Sequence, residues 1–248
     1  MQRAAAIIVT SARYRDSSAE LAPFRDKCHV IPLGIDPSAF EQADPAAIAR
    51  IHQQYGDRLI LSVGRLVPYK GIRYLIEAMA SVDGCLLHIG TGPPQTELAE
   101  QVRAADLSSK VQMLGRVDDL APYLHAAAML ALPSITRAES FGIAQLEAMA
   151  AGLPVINTSI ESGVPEVSLH GVTGLTVPPA DASSLAEAIN LLLGDPEMRR
   201  HMGDAGKLRA RAEFSIDRMA ADTVALYESI LTPDINSPDM YPPDTNSR

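Results

Sequence analysis

The sequence predicts an α/β protein whose parallel sheet carries helices on both faces. Three observations lead there. From Arg58 onward, short apolar runs alternate with helical patterns, as in chains of strand–helix–strand units. The runs are continuous rather than alternating in polarity, which marks strands buried on both faces. Glycine-rich or charged loops follow directly on several of them, at the strand ends where such sheets bind ligands.

In chain order, residues 6–10 read as a strand, a polar helix-like stretch follows, and residues 28–35 end in Ile31-Pro32-Leu33-Gly34-Ile35-Asp36. The buried strands of the main sheet are expected at 59–63, 85–89, 111–114, 129–132, 155–156 and, more weakly patterned, 174–177. Between them, 71–81 puts Ile72, Leu75, Ile76 and Met79 on one helical face. Residues 184–193 repeat this with Leu185, Ala188, Ile189 and Leu192. Asp195-Pro196 pairs a capping side chain with a first-turn proline and starts a helix through Met198, Met202 and Leu208. Asp118-Asp119 reads as the acidic first turn of a helix after Val117. A last helix is expected at 217–231, followed by a disordered tail at 232–248 that is dense in Pro, Asp, Asn and Ser.

Composition removes several classes of function. With 47% hydrophobic and 21% charged residues, the chain is globular. A net charge of −9 argues against a nucleic-acid partner, which needs a basic footprint. No apolar run approaches the ~20 residues that cross a bilayer. Residues 1–10 are too brief for a signal peptide, and Arg13 and Arg15 follow at once. Cys28 and Cys85 stand alone among apolar neighbours, as reduced, buried thiols of a cytoplasmic protein do.

Three loops carry candidate chemistry. In Gly64-Arg65-Leu66-Val67-Pro68-Tyr69-Lys70-Gly71, Gly64 lets the backbone approach a ligand and Gly71 opens a helix. Arg65 and Lys70 add two cations around the turn, although solvated surface charges would look the same. The Walker A spacing is absent. Gly90-Thr91-Gly92-Pro93 is a second glycine turn, and Gln95 stands where a dinucleotide fingerprint needs its third glycine. The third loop, from Leu132 into a helix beginning near Phe141-Gly142, sets Glu139 just before the helix and Glu147 inside it. The free N–H groups of Phe141, Gly142 and Ile143 would then lie between two carboxylates. That order fits a nucleoside diphosphate sugar: one carboxylate for ribose hydroxyls, N–H donors for phosphates, a second carboxylate for the sugar. As plain structure, Glu139 would be a charge at a helix start and Glu147 part of a solvated face, but Glu147 sits among apolar residues, where an unpaired charge is costly. Segment 162–167 either brings Glu166 toward the same cleft or forms an ordinary turn and short helix entry. No histidine spacing or Asp-x-Asp pair reads as a metal site, and no Gly-x-Ser-x-Gly elbow is present.

Gly-Arg…Lys-Gly after a strand, the Gly-x-Gly-Pro turn, Val111-x-x-Leu114-Gly115 and Glu139-Ser-Phe-Gly…Glu147 together resemble family 4 retaining glycosyltransferases of the GT-B fold, over residues 32–231. The resemblance implies a Rossmann-like sheet, the C-terminal domain of that fold, at 41–216. It also implies a return helix at 217–231 and, at 1–40, a remnant of the N-terminal acceptor domain with its linker. It implies that Arg65 and Lys70 bind the donor diphosphate, beside Gly64, Gly90 and Gly92, and that Glu147 holds the ribose. Glu139 would contact the transferred sugar, the backbone of Phe141, Gly142 and Ile143 would meet sugar and phosphates, and Arg116 and Val117 would border the nucleobase. Glu139, Arg65 and Lys70 are the catalytic candidates. The donor would be a UDP-, GDP- or ADP-sugar without a metal cofactor, and the acceptor a saccharide or a lipid-linked one. Segment 160–166 is similar to members that build bacterial surface polysaccharides, which would work in the cytoplasm or at the inner face of the membrane. The missing acceptor domain would supply a glycine-rich loop and a histidine near the reacting sugar. A noncatalytic half of a split or truncated enzyme and a nucleotide-sugar epimerase are the alternatives.

Overall fold

The computed structural model describes residues 1–231; the expected disordered tail lies outside the described residues. A small parallel sheet pairs β1 (Ile7–Val9) with β2 (Cys28–Val30), joined by α1 (Ala12–Ser17) and a 3-10 turn (Ala22–Lys27). The main sheet is wholly parallel and holds β3 (Leu59–Val63), β4 (Cys85–Ile89), β5 (Val111–Gly115), β6 (Met129–Ala131), β7 (Val155–Thr158) and β8 (Gly174–Val177). Its spatial order is β5-β4-β3-β6-β7-β8. The chain therefore builds outward from β3 to β5, then returns to the other side of β3 to lay down β6. The strand order reverses between β3 and β6, and sheets of this kind bind ligands at the carboxyl ends of the strands beside such a reversal.

The helices are α2 (Pro45–Tyr55), α3 (Ile72–Ala78), α4 (Gln95–Ala104), α5 (Ala121–Ala126), α6 (Ile143–Ala150), α7 (Val164–Val167), α8 (Ala182–Gly194), α9 (Pro196–Glu213) and α10 (Ile216–Leu231). One face of the sheet is covered by α3, α4 and α8, whose Leu75, Ile76, Leu98, Leu185 and Ile189 meet Ile60, Leu86 and Met129. The other is covered by α2, α5 and α6, with Ile51, Leu124, Leu146 and Met149 against Leu59, Leu61, Leu87 and Leu130. This is the expected α/β architecture.

Several boundaries differ from expectation for physical reasons. β7 continues past Ile156 because the buried Asn157 and Thr158 spend their polar groups internally. Asn157 Nδ2 donates to Gln145 Oε1 at 2.9 Å, and Thr158 Oγ1 donates to the Ser134 carbonyl at 2.5 Å. Of segment 28–35, only the first three residues pair as a strand. Ile35 instead exchanges backbone hydrogen bonds with Phe214 and Ile216, at 2.9 and 2.8 Å, so the linker is stitched to the α9–α10 junction. The Asp118-Asp119 pair precedes α5 rather than forming its first turn, and Asp119 Oδ1 accepts from Ala121 N at 3.0 Å. Asp195 does cap α9, accepting from Met198 N at 2.8 Å. Cys28 is buried as expected, whereas Cys85 is only half-buried; both are free thiols. Among the described residues, no helix is long and apolar enough to cross a membrane.

Leu130 is fully buried on β6, the strand laid down at the reversal. Leu130→Ala is expected to cost ~2–5 kcal/mol of folding stability, read by urea denaturation. A loss under about 1 kcal/mol would mean that this position is not tightly packed.

Candidate active site

Three loops meet above the reversal point, and glycines let them touch. After β3 the chain makes a 3-10 turn (Pro68–Lys70) and enters α3 through Gly71, whose φ of +68° lies in the left-handed region. A Cβ on Gly71 would overlap the Pro133 carbonyl oxygen of the loop after β6. Ile135 N, in that loop, donates to the Tyr69 carbonyl at 2.8 Å, so the loops after β3 and β6 are locked edge to edge. On the other side, a Cβ on Gly90 or Gly92 would overlap the carbonyl oxygen of Gly64 or Leu66, respectively. Gly90 and Gly92 thus fix the loop after β4 against the loop carrying Arg65 and Lys70.

That packing brings Lys70 and Glu139 into contact from separate strands. Lys70 Nζ forms an ion pair with Glu139 Oε2, and both side chains are largely buried. Glu139 Oε2 also accepts from Ser134 Oγ at 3.1 Å. Arg65 stands exposed on the same loop as Lys70 and has no ion-pair or hydrogen-bond partner among the described residues. One cation is therefore committed to a carboxylate and one is free to meet an anion.

Beyond Glu139, the backbone turns through Gly142, with φ of +76°, into α6. Helical geometry begins at Ile143, slightly later than the sequence pattern suggests. The N–H groups of Phe141, Gly142 and Ile143 reach no acceptor among the described residues, so they form an open donor set at the helix start. Glu147 lies further along α6, half-buried and without a hydrogen-bond or ion-pair partner among the described residues. Burial pushes its carboxyl above the usual range. Arg116 is exposed and Val117 half-buried just after β5, whose Gly115 carbonyl accepts from Gly90 N at 2.7 Å. The β5 loop is thereby tied to the β4 loop beside the cradle.

Two residues show roles that the sequence did not reveal. His88, on β4 two positions before Gly90, is buried with neither ring nitrogen in a hydrogen bond of good geometry. Burial lowers its pKa to about 4, opposed in part by the Gly64 backbone and helped, least of the three, by the Lys70 charge. The ring is a neutral packing element beneath the glycine loops. The signal was a histidine inside an otherwise apolar strand. Glu166 points to α1: its Oε2 accepts from Ala12 N at 3.2 Å and its Oε1 from Arg13 N at 2.6 Å. Arg209 holds the same segment by donating to the Glu166 and Val167 carbonyls at 2.9 and 3.1 Å. Between the small sheet and the loop after β6 lies a cavity of ≈ 510 Å³ bounded in part by Thr10, Tyr14, Arg137 and Ser140.

Residues 46–209 match the sequence profile of glycosyl transferases, group 1. The chain belongs to this family. Among curated relatives, the group 1 chain is 33% identical over 211 residues to a D-rhamnosyltransferase, WbpZ, of Pseudomonas aeruginosa, covering 84% of this chain and 55% of the relative. It is 30% identical over 227 residues to the O-antigen chain mannosyltransferase C of Escherichia coli, covering 91% and 61%. It thus spans little more than half the length of these relatives. Anabaena HepE in complex with UDP superposes with a TM-score of 0.84 at 24% identity, over 91% of this chain and 64% of that one. The Rossmann-like C-terminal domain of the GT-B fold is therefore the architecture of this group 1 chain.

Two outcomes follow from the site. Because the folded-state pKa of Glu147 lies above its unfolded value, its ionised form opposes folding, and that cost vanishes once both states are protonated. Glu147→Gln is expected to raise the melting temperature at pH 7, with the gain shrinking as pH falls from the raised folded-state value toward the usual carboxylate value and gone below it. An unchanged melting temperature at pH 7 would contradict the burial cost. Glu166→Ala should cost ~1–2 kcal/mol and speed amide exchange at Ala12 and Arg13, as loss of a helix cap does. Unaltered exchange there would show that the carboxylate does not anchor α1.

Proposed function

We propose that this group 1 chain supplies the donor site of a retaining glycosyltransferase that moves a sugar from a nucleoside diphosphate to an acceptor hydroxyl, in bacterial surface polysaccharide synthesis. The observation that carries this reading is the meeting of Lys70 and Glu139 at the strand reversal, next to the open N–H groups that start α6. An anion cradle and a carboxylate are thereby side by side. The names of the P. aeruginosa and E. coli relatives, a rhamnosyltransferase and an O-antigen mannosyltransferase, support the class of reaction and its setting. The acceptor, a saccharide or a lipid-linked one, and the acceptor domain that holds it are proposed to belong to the part of the relatives that this chain does not span. Free thiols at Cys28 and Cys85 suit a cytoplasmic setting.

Departure of the diphosphate is the step these residues assist. Negative charge grows on the leaving phosphate, and preorganised donors in a partly desolvated site stabilise it without reorganising. Arg65 supplies a free charge and Lys70 a second one as Glu139 turns to the sugar, and the N–H groups of Phe141, Gly142 and Ile143 supply directed hydrogen bonds. The proposed leaving-group assistance needs no metal ion. Glu139 orients the transferred sugar. Glu147, without a partner among the described residues, gains hydroxyl donors from the ribose in exchange for the water it lost on burial. Arg116 and Val117 border the base.

A noncatalytic nucleotide-sugar-binding module is the second reading, since the donor cradle alone binds without transferring. Slow hydrolysis of the donor sugar by the chain itself would remove it. Calorimetric titration with UDP, GDP and ADP, then with their sugars, tests donor binding and identifies the base. Lys70→Ala or Arg65→Ala is expected to weaken leaving-group stabilisation by ~2–4 kcal/mol, as loss of an oxyanion donor does. Unchanged turnover in the intact enzyme bearing either substitution would withdraw these assignments.

A further inference from the structure

We propose that Arg137 is a positioning residue for the donor sugar, gripping α1 so as to hold the turn that presents Glu139. This rests on the donor-site reading above and adds a residue outside the cradle. The Arg137 guanidinium lies over the Tyr14 ring at 4.9 Å, and its Nη1 donates to the Ser17 carbonyl at 3.0 Å. Both partners belong to α1, more than a hundred residues away in sequence. Arg137 sits inside a tight turn in which Glu139 N donates to the Thr136 carbonyl at 3.1 Å and Ala138 N to Thr136 Oγ1 at 3.3 Å. A displacement of Arg137 is therefore passed to Glu139 through two residues of constrained backbone.

The post that Arg137 grips is itself fixed. Glu166 holds the first turn of α1, and Ser17 Oγ donates to the Glu161 carbonyl at 3.2 Å. Downstream, the Ser140 carbonyl accepts from Gly163 N at 2.8 Å, so both ends of the Glu139 segment are tied to α1 or to the loop that holds it. A planar guanidinium can stack on a ring and donate in its own plane at once, which an ammonium cannot. By contrast, the contacts that set the Arg65–Lys70 side of the phosphate cradle do not pass through Arg137, and its Phe141–Ile143 side is held separately by Gly163 N on the Ser140 carbonyl. Gly71 against Pro133, and Ile135 N on the Tyr69 carbonyl, lie upstream of Thr136. Removing the guanidinium should therefore spare the nucleotide and disturb the sugar.

Equilibrium binding separates this role from a merely structural one. The probes are UDP with UDP-glucose and GDP with GDP-mannose, using the pair whose nucleotide the chain binds. In Arg137→Ala the Kd for the free nucleoside diphosphate should stay within about twofold of the unsubstituted chain, while the Kd for the nucleotide sugar rises about tenfold, the scale of a misplaced contact group. Tyr14→Ala should act in the same direction but more weakly, because the hydrogen bond from Arg137 to the Ser17 carbonyl remains, and the double variant should be no worse than Arg137→Ala, since the ring contact needs both partners. Should Arg137→Ala fail to fold, as judged by thermal melting, Tyr14→Ala alone carries the comparison. Equal weakening of both ligands, no weakening of either, or additive losses in the double variant overturns the role of Arg137. Failure of the unsubstituted chain to bind any nucleoside diphosphate overturns the donor-site reading and this inference with it.

Discussion

The ion pair between Lys70 and Glu139 is the interaction on which the site is built. Its two members come from loops after β3 and β6, strands that are neighbours in space only because the strand order reverses between them. Burying either charge alone would cost several kcal/mol, and each offsets the other's desolvation. A pair that closes on itself also keeps a cation and a carboxylate ready, at one point, for a ligand carrying both phosphate and hydroxyl groups. Gly71 follows from this arrangement, because a side chain there would push apart the two loops that bring the pair together, and Gly90 and Gly92 let the loop after β4 brace the one that carries Lys70.

Where the pair is satisfied, its surroundings are not. Among the described residues, Glu147 has a half-buried carboxyl without a partner, the buried His88 imidazole makes no hydrogen bond of good geometry, and the first N–H groups of α6 reach no acceptor. Each is a small charge against folding stability, concentrated in one place. Proteins tolerate such losses chiefly where function needs them, since stability optimised at a ligand site removes the groups that the ligand would satisfy. His88 differs from the other two in that it lies under the loops; its neutral ring supports them without reaching solvent.

Much of this was readable in the sequence because buried parallel strands are continuous apolar runs. Leu59–Val63, Cys85–Ile89 and Gly174–Val177 begin and end where the residue pattern places them. Glu139, Lys70 and Arg65 stood out as charges in loops directly after such runs. What escaped notice depended on contacts between distant segments. α2 buries only Ile51 and α4 only Leu98 and Val102, too thin a stripe to register as periodicity. Asn157 looks like the end of a strand until Gln145, Val164 and Ser168 are seen around it. Glu166 is legible only as a charge at a short helix entry, and Arg137 not at all, since their partners lie on α1 at the far end of the chain.

The most direct measurement is a crystal structure with a nucleoside diphosphate sugar bound. Lys70 Nζ should then contact a phosphate oxygen while Glu139 faces the sugar and Glu147 accepts from the ribose hydroxyls. A nucleotide bound away from the ends of β3 and β6, with Lys70 and Glu139 still paired and Glu147 still without a partner, would contradict the assignment of the cradle.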